Sequence, residues 1–207
     1  TETIHNSTNP MTTTYAYDKW GKTIKKTDYL GNNEKYTYAK TRGYGVLKTT
    51  IGDDGRSSST QIDAYGREVR RGTKNSNGKW SYVDLRYDIE DRLISETLPY
   101  FNDSSATVWN EMQYDLYGRL IQAVSLKTTG SQGKVINYTY SGLTTIEDDG
   151  IQSKQSVYNA LDQIVSLTET PGGTITYSYY ANGKLKESVY EGRRIKVEYD
   201  GWGNKTK

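Results

Sequence analysis

Along much of the chain, apolar and polar residues alternate with a period of two. Ile175, Tyr177 and Tyr179 share one face, with Thr174, Thr176 and Ser178 opposite; Ile195, Val197 and Tyr199 alternate with Arg194, Lys196 and Glu198. Leu185 and Val189 bracket Glu187 in a less regular stretch. A period of two places successive side chains on opposite faces of a strand, so the pattern predicts antiparallel strands with one apolar and one polar face. Glu191-Gly192, Asp54-Gly55, Asn77-Gly78 and Gly172-Gly173 are dipeptides that favour tight hairpin turns. No segment sustains a helical period; Val108 to Met112 comes nearest and is short. Leu98 to Thr107, with Pro99 and Asn102-Asp103-Ser104-Ser105, reads as the longest loop.

A second, longer period overlies the first. Tyr17-Asp18-Lys19-Trp20-Gly21-Lys22, Tyr114-Asp115-Leu116-Tyr117-Gly118-Arg119 and Tyr199-Asp200-Gly201-Trp202-Gly203-Asn204 share Y-D-x-x-G. Ile62-Asp63-Ala64-Tyr65-Gly66-Arg67 keeps the aspartate, glycine and arginine. Tyr87-Asp88-Ile89-Glu90-Asp91-Arg92 and Tyr158-Asn159-Ala160-Leu161-Asp162-Gln163 carry Asp where the others carry Gly. Tyr180-Ala181-Asn182-Gly183 is one residue short, and Tyr38-Ala39 and Tyr140-Ser141 are the most degenerate copies. The nine copies recur about every 23 residues, the length of two short strands and two turns. Aspartate at the first turn position can accept a hydrogen bond from the amide two residues on. Glycine three residues later supplies a positive φ, which Asp91 and Asp162 can also adopt. The predicted turn residues are Tyr17, Asp18, Gly21, Asp63, Gly66, Tyr87, Asp88, Tyr114, Asp115, Gly118, Tyr158, Asn159, Tyr199, Asp200 and Gly203.

Composition sharpens this reading. Of 207 residues, 20 are Tyr and one, Phe101, is Phe, while Ile, Leu, Val and Phe together stay below about one-fifth. Tyrosine packs its ring and keeps its hydroxyl wet, so the expectation is an ordered structure with thin apolar contact. The formal charge of +2 arises from 27 basic and 25 acidic residues, too even a mixture to suggest nucleic acid as a partner. No apolar stretch is long enough for membrane insertion. Residues 1–14 read as a polar leader and 15–207 as a single repeat domain. Opening on Thr, the chain reads as a piece of something longer.

Candidate chemistry is sparse. With no Cys, thiolate metal sites and cysteine nucleophiles are excluded; the lone histidine, His5, lies in the leader and reads as solvated. Asp53-Asp54-Gly55 and Glu147-Asp148-Asp149-Gly150 lack the ligand ladder of a calcium loop and read as acidic turns. Ser57-Ser58-Ser59-Thr60 has no nucleophile motif around it. Arg42, Arg70-Arg71 and Arg193-Arg194 are interleaved with acids and read as solvated faces. An aspartate present in every hairpin is better explained by every hairpin needing it than by glycosidase chemistry. The expectation is no catalytic residue, no metal and no cofactor. Trp20 and Trp202, each just before the turn glycine, either fold over the neighbouring hairpin or stack on a ligand such as a sugar ring.

The run Y-D-x-x-G-R-L, nearly whole at Tyr114 to Leu120, resembles the YD repeat of Rhs proteins, of Tc toxin B and C components, of bacterial wall-associated toxins and of teneurins. Arg86 to Leu93, followed by Leu98-Pro99-Tyr100-Phe101, resembles the bacterial branch more closely. The resemblance covers about residues 15 to 203 and implies an all-β array of antiparallel hairpins joined into a curved, spiralling sheet, part of a hollow shell. It implies partners in the rest of the shell and an enclosed C-terminal toxin polypeptide, in a secreted or cell-surface bacterial protein. The family's self-cleaving aspartyl segment has no counterpart here, so the stretch resembles the middle of a wall. A carbohydrate- or partner-binding repeat module is the alternative.

Overall fold

The computed structural model describes residues 2–4, 11–43, 45–106 and 108–206; His5 lies outside them. Every regular element among these residues is a β-strand, so the chain is all-β, built of antiparallel hairpins. It divides into two compact units, Thr1–Asn110 and Glu111–Lys207.

The first unit contains β1 (Glu2–Ile4), β2 (Met11–Tyr17), β3 (Thr23–Thr27), β4 (Asn33–Lys40), β5 (Val46–Gly52), β6 (Ser57–Ile62), β7 (Glu68–Lys74), β8 (Trp80–Tyr87), β9 (Leu93–Thr97) and β10 (Tyr100–Phe101). From β1 to β9 each strand pairs antiparallel with the next. Strand β10 pairs with β8, Tyr100 opposite Tyr82 and Phe101 opposite Ser81. The stretch expected as the longest loop therefore begins by continuing the β9 edge past Pro99, which has no N–H to offer a ladder. The β-favouring pair Tyr100-Phe101 re-forms the strand. Strand β11 (Trp109–Tyr114) contains the boundary between the units and occupies the residues with the nearest approach to a helical pattern.

The second unit continues with β12 (Leu120–Lys127), β13 (Lys134–Ser141), β14 (Thr144–Asp148), β15 (Ser153–Tyr158), β16 (Ile164–Thr170), β17 (Thr174–Tyr179), β18 (Leu185–Tyr190) and β19 (Arg193–Lys196). It is again an antiparallel meander, each strand paired with its successor.

Packing is thin, as the scarcity of large aliphatics dictates. The buried apolar side chains among the described residues are Leu85, Val124 and Val197, against four buried hydroxyl residues, Ser59, Ser95, Thr97 and Ser156. Rings lie over small residues instead of meeting in a core. Gly72 stands between Ser59 and Tyr82 on adjacent strands, and a Cβ there would fall 2.7 Å from the Tyr82 ring. Gly173 lies in the same way beneath Tyr190. A strand glycine covered by a cross-strand aromatic loses less than a bare one, because the ring buries the exposed backbone.

Around Tyr82 lies a polar cluster. Arg70 meets Asp84 through two hydrogen bonds, Nε–Oδ1 at 2.5 Å and Nη2–Oδ2 at 2.9 Å. Tyr100 donates to Asp84 Oδ2 at 2.8 Å, and the Asp84 amide donates to Thr97 Oγ1 at 2.9 Å. Partial burial pushes the Asp84 carboxyl up, but Arg70 and the Tyr100 hydroxyl outweigh it and hold the group below its usual range.

Candidate functional site

The repeat motif builds one local structure many times. At Asp18 the carboxylate Oδ1 accepts from the amides of Trp20 at 2.8 Å and Lys22 at 2.9 Å. The backbone closes around it: Asp18 N–H donates to Lys22 O, and Gly21 N–H to Asp18 O. The same pattern recurs at Asp63, Asp88, Asp115, Asn159 and Asp200, each oxygen holding the amides two and four residues on. The fourth turn residue has positive φ in every case: Gly21, Gly66, Gly118 and Gly203, and the non-glycines Asp91 at 63° and Asp162 at 60°. A turn of this kind adds a bulge to the strand it closes. Register shifts duly appear just before the turns, at Tyr17, Ile62, Tyr87, Tyr158 and Tyr179.

Arg67, Arg92 and Arg119 also bond back to the carboxylate of their own turn, Nε to Oδ2 at 2.6–2.8 Å. At Asp63, partial desolvation pushes the carboxyl up, but Arg67 and the amides of Arg67 and Tyr65 together hold it below its ordinary value. Asp88 and Asp115 are lowered by the same balance, and Asp200 chiefly by the Asn204 amide. Each of these carboxylates is committed to its own turn.

Beyond the turn, the motif reaches the next hairpin. The bulge opens the ladder at the first residue after the turn, and a tyrosine hydroxyl from the following hairpin donates to that residue's carbonyl. Tyr38 donates to Thr23 O (2.9 Å), Tyr87 to Glu68 O (2.8 Å), Tyr140 to Leu120 O (2.8 Å) and Tyr179 to Ile164 O (2.7 Å). The basic residue that ends the turn lies over a tyrosine of that next hairpin: Lys22 over Tyr38 (5.1 Å), Arg67 over Tyr87 (5.2 Å), Arg119 over Tyr140 (4.4 Å), Lys184 over Tyr199 (4.8 Å). These are cation–π distances. Arg67 additionally bonds Asp88 O and Asp91, and Lys184 bonds Gly203 O. Arg67 and Arg119 also lie near the rings of Tyr65 and Tyr117, at 5.1 and 5.3 Å. Each arginine thus lies within cation–π distance of two phenol rings.

The predicted turn residues divide accordingly. The aspartates, Asn159 and the glycines close turns. Of the motif tyrosines, Tyr87 makes the carbonyl clasp, Tyr199 lies beneath Lys184 and edge-on to Tyr180 at 6.1 Å, and Tyr17 is exposed beside Tyr15. Tyr114 reaches Met112 Sδ at 3.8 Å, and Tyr158 holds Leu143 O through its amide. Tyr38 and Tyr140, in the most degenerate copies, are clasp residues. Their local turns differ: Thr41 N–H bonds Gly45 O, and Ser141 pairs directly with Thr144. Motif matching misses the Asp28 turn, where Oδ1 holds the amides of Leu30 and Asn32 at the other end of the strands. Its signal was D-x-x-G at Asp28–Gly31 without a preceding tyrosine partner.

Several of the remaining candidates are held by local contacts. Arg70 is held by Asp84, Arg71 by Glu68 and Glu96, and Arg194 by Glu187. Asp53 accepts from the Asn33 amide and side chain, and Asp54 from Arg56. Asp149 holds the amides of Gln152 and Ile151 and faces Lys134, which together bring its pKa down to about 2. Ser57 to Thr60 lie in β6. Trp20 is 76% and Trp202 93% exposed. Trp20 carries Lys19 over its ring at 5.0 Å. Trp202 borders a depression of about 280 Å³ with Tyr180, Asn182, Tyr199 and Asp200.

Set against known proteins, the chain matches no family model. It is 31% identical over 211 residues to the tRNA3(Ser)-specific nuclease WapA of Bacillus spizizenii, and 32% identical over 211 residues to the tRNA nuclease WapA of Bacillus subtilis. Each alignment covers 92% of this chain, but the chain spans only 8% of the length of either relative. The crystal structure of TcdB2-TccC3 shares the fold, with a TM-score of 0.56 and 14% identity over 86% of this chain and 14% of that one.

Proposed function

We propose that this chain is a non-catalytic wall segment of an Rhs-like YD-repeat shell, within a longer secreted or cell-surface bacterial protein that encloses a toxin polypeptide. One observation carries the reading: the same turn-and-clasp unit recurs in both compact units and commits its carboxylates to backbone amides. A residue occupied in this way serves the wall and is not free to act on a substrate. The relatives named as nucleases are more than ten times longer than the matched stretch, so their named activity has ample room elsewhere in the polypeptide. The similarity of fold to TcdB2-TccC3 supports the same reading.

Two measurements test it. The 207-residue chain incubated with tRNA leaves it intact; cleavage that a single aspartate substitution abolished would overturn the non-catalytic reading. In the longer protein, Asp88→Ala combined with Asp115→Ala loosens the wall and raises protease cleavage of the enclosed segment. Unchanged protection in a variant shown to have lost stability would overturn the enclosing role.

A second reading rests on Trp202. An exposed indole bordering a small depression beside two phenols, an amide and a carboxylate has the makings of a sugar-stacking surface. A glycan array separates the readings: specific binding lost in Trp202→Ala supports this one, and no binding to any glycan removes it.

A further inference from the structure

Four joints between successive hairpins share one chemistry: a cation ending one turn covers a tyrosine of the next hairpin. A fifth departs from it. After the turn at Asn159, the cation's place is taken by Gln163. Its amide donates to Gly183 O at 2.9 Å, and its Oε1 accepts from Asn159 at 2.9 Å. The Tyr179 hydroxyl still reaches Ile164 O, but no cation lies over its ring among the described residues.

Two further features fall at the same joint. Strands β16 and β17 pair at only three positions, Ser166–Thr176, Leu167–Ile175 and Thr168–Thr174, against six for β15 with β16 and five for β17 with β18. The turn leading into β16 also holds Asp162, a non-glycine, at φ 60°. Strands β3 and β4 supply an internal control. They too pair at three positions, but there Lys22 covers Tyr38.

Beyond the joint a cation over the next tyrosine is present again. Lys184 covers Tyr199 and bonds Gly203 O, and Tyr180 donates to Val197 O at 3.1 Å. Past it, β17 pairs with β18 at five positions and β18 with β19 at four. We infer that the β16–β17 joint is a built-in seam, at which β17, β18, β19 and the Asp200 turn detach together while β12 to β16 stay paired. A seam gives a repeat array a defined place to open. Its use in admitting or releasing an enclosed polypeptide rests on the shell reading, whereas the seam itself does not.

Amide hydrogen exchange on the 207-residue chain tests the inference. Amides of β17, β18 and β19 should share one opening event and exchange faster than those of β13 to β15. Gln163→Arg restores the residue found at this position in the Asp63 and Asp115 turns. It should slow that shared exchange about threefold, the worth of an exposed cation–π contact, and leave β13 unchanged. Arg119→Gln should create a second seam and speed exchange in β13. Independent exchange of the three strands in order from the chain end, or rates unmoved by Gln163→Arg, would overturn the seam. Failure of the tRNA or protease tests would leave these rates untouched, so the two conclusions fall separately.

Discussion

The two ends of the strands solve one problem in two ways. At one end, the turns at Asp18, Asp63, Asp88, Asp115, Asn159 and Asp200 share a single structure, from which those after Tyr38 and Tyr140 depart. At the other, the reversals are assorted. Asp28 repeats the aspartate turn, whereas Asn77 accepts from the Lys79 amide from the third position. Glu191 and Gly192 make a two-residue turn with both φ positive, and Thr128 to Ser131 makes another kind again. Both ends reverse the chain equally well. At the first end the cation that closes a turn lies over a tyrosine of the hairpin that follows, whereas at the other Lys79 meets the Asp103 carboxylate and Trp80 O accepts from the Asn102 amide. The motif therefore recurs because neighbouring hairpins are joined through it, beyond what chain reversal requires.

Acid should produce the largest departure. Asp63, Asp88, Asp115 and Asp200 have folded pKa values below their unfolded ones. Groups lowered on folding contribute stability above the unfolded value, near 3.9, and lose it as pH falls through the folded value. Denaturant midpoints should thus hold steady down to about pH 5 and fall steeply below about pH 4. Asp149, at the assorted end, releases its share near pH 2. A midpoint unchanged to pH 3 would mean that the turn carboxylates carry little weight.

Next come the left-handed glycines. Gly118→Val forces a β-branched residue to φ 79°, and Gly78→Val does the same at 81° at the other end. Each should cost about 2 kcal/mol by urea titration. Equal losses would show that the two ends bear similar strain as turns, and that their difference lies in the joint. The joint itself is probed by Tyr87→Phe, which keeps the ring and removes the hydroxyl that meets Glu68 O. A loss of about 1 kcal/mol is expected, against less than about 0.5 for Tyr29→Phe, an exposed ring at the assorted end. Similar values for the pair would dissolve the distinction. The smallest effect is that of Arg119→Met, which keeps much of the packing but removes the charge over Tyr140 and the bond to Asp115. A slight, salt-dependent loss of stability is the expected reading.

Much of this was legible in the residues. Alternation at Ile175, Tyr177 and Tyr179 specified a strand because a pleated backbone has no other way to separate faces. The turns were legible because an aspartate and a left-handed residue three positions apart interact within five residues of chain. The Tyr100-Phe101 strand was hidden by Pro99 and the polar run after it, since local signals say nothing of Tyr82 waiting across the ladder. Tyr38 and Tyr140 were hidden for a related reason. Motif matching weighs a residue by its sequence neighbours, and theirs are poor, yet their hydroxyl partners lie 15 and 20 positions earlier.

By itself, then, the sequence determined where the chain extends and where it reverses, because dihedral preferences and side-chain-to-backbone bonds act over a few residues. Only the tertiary structure decided which phenol meets which carbonyl, which cation covers which ring, and that Gly72 and Gly173 lie beneath tyrosines. Those choices depend on strand register and bulge position, which place residues 15 to 25 positions apart within about 3 to 5 Å of one another.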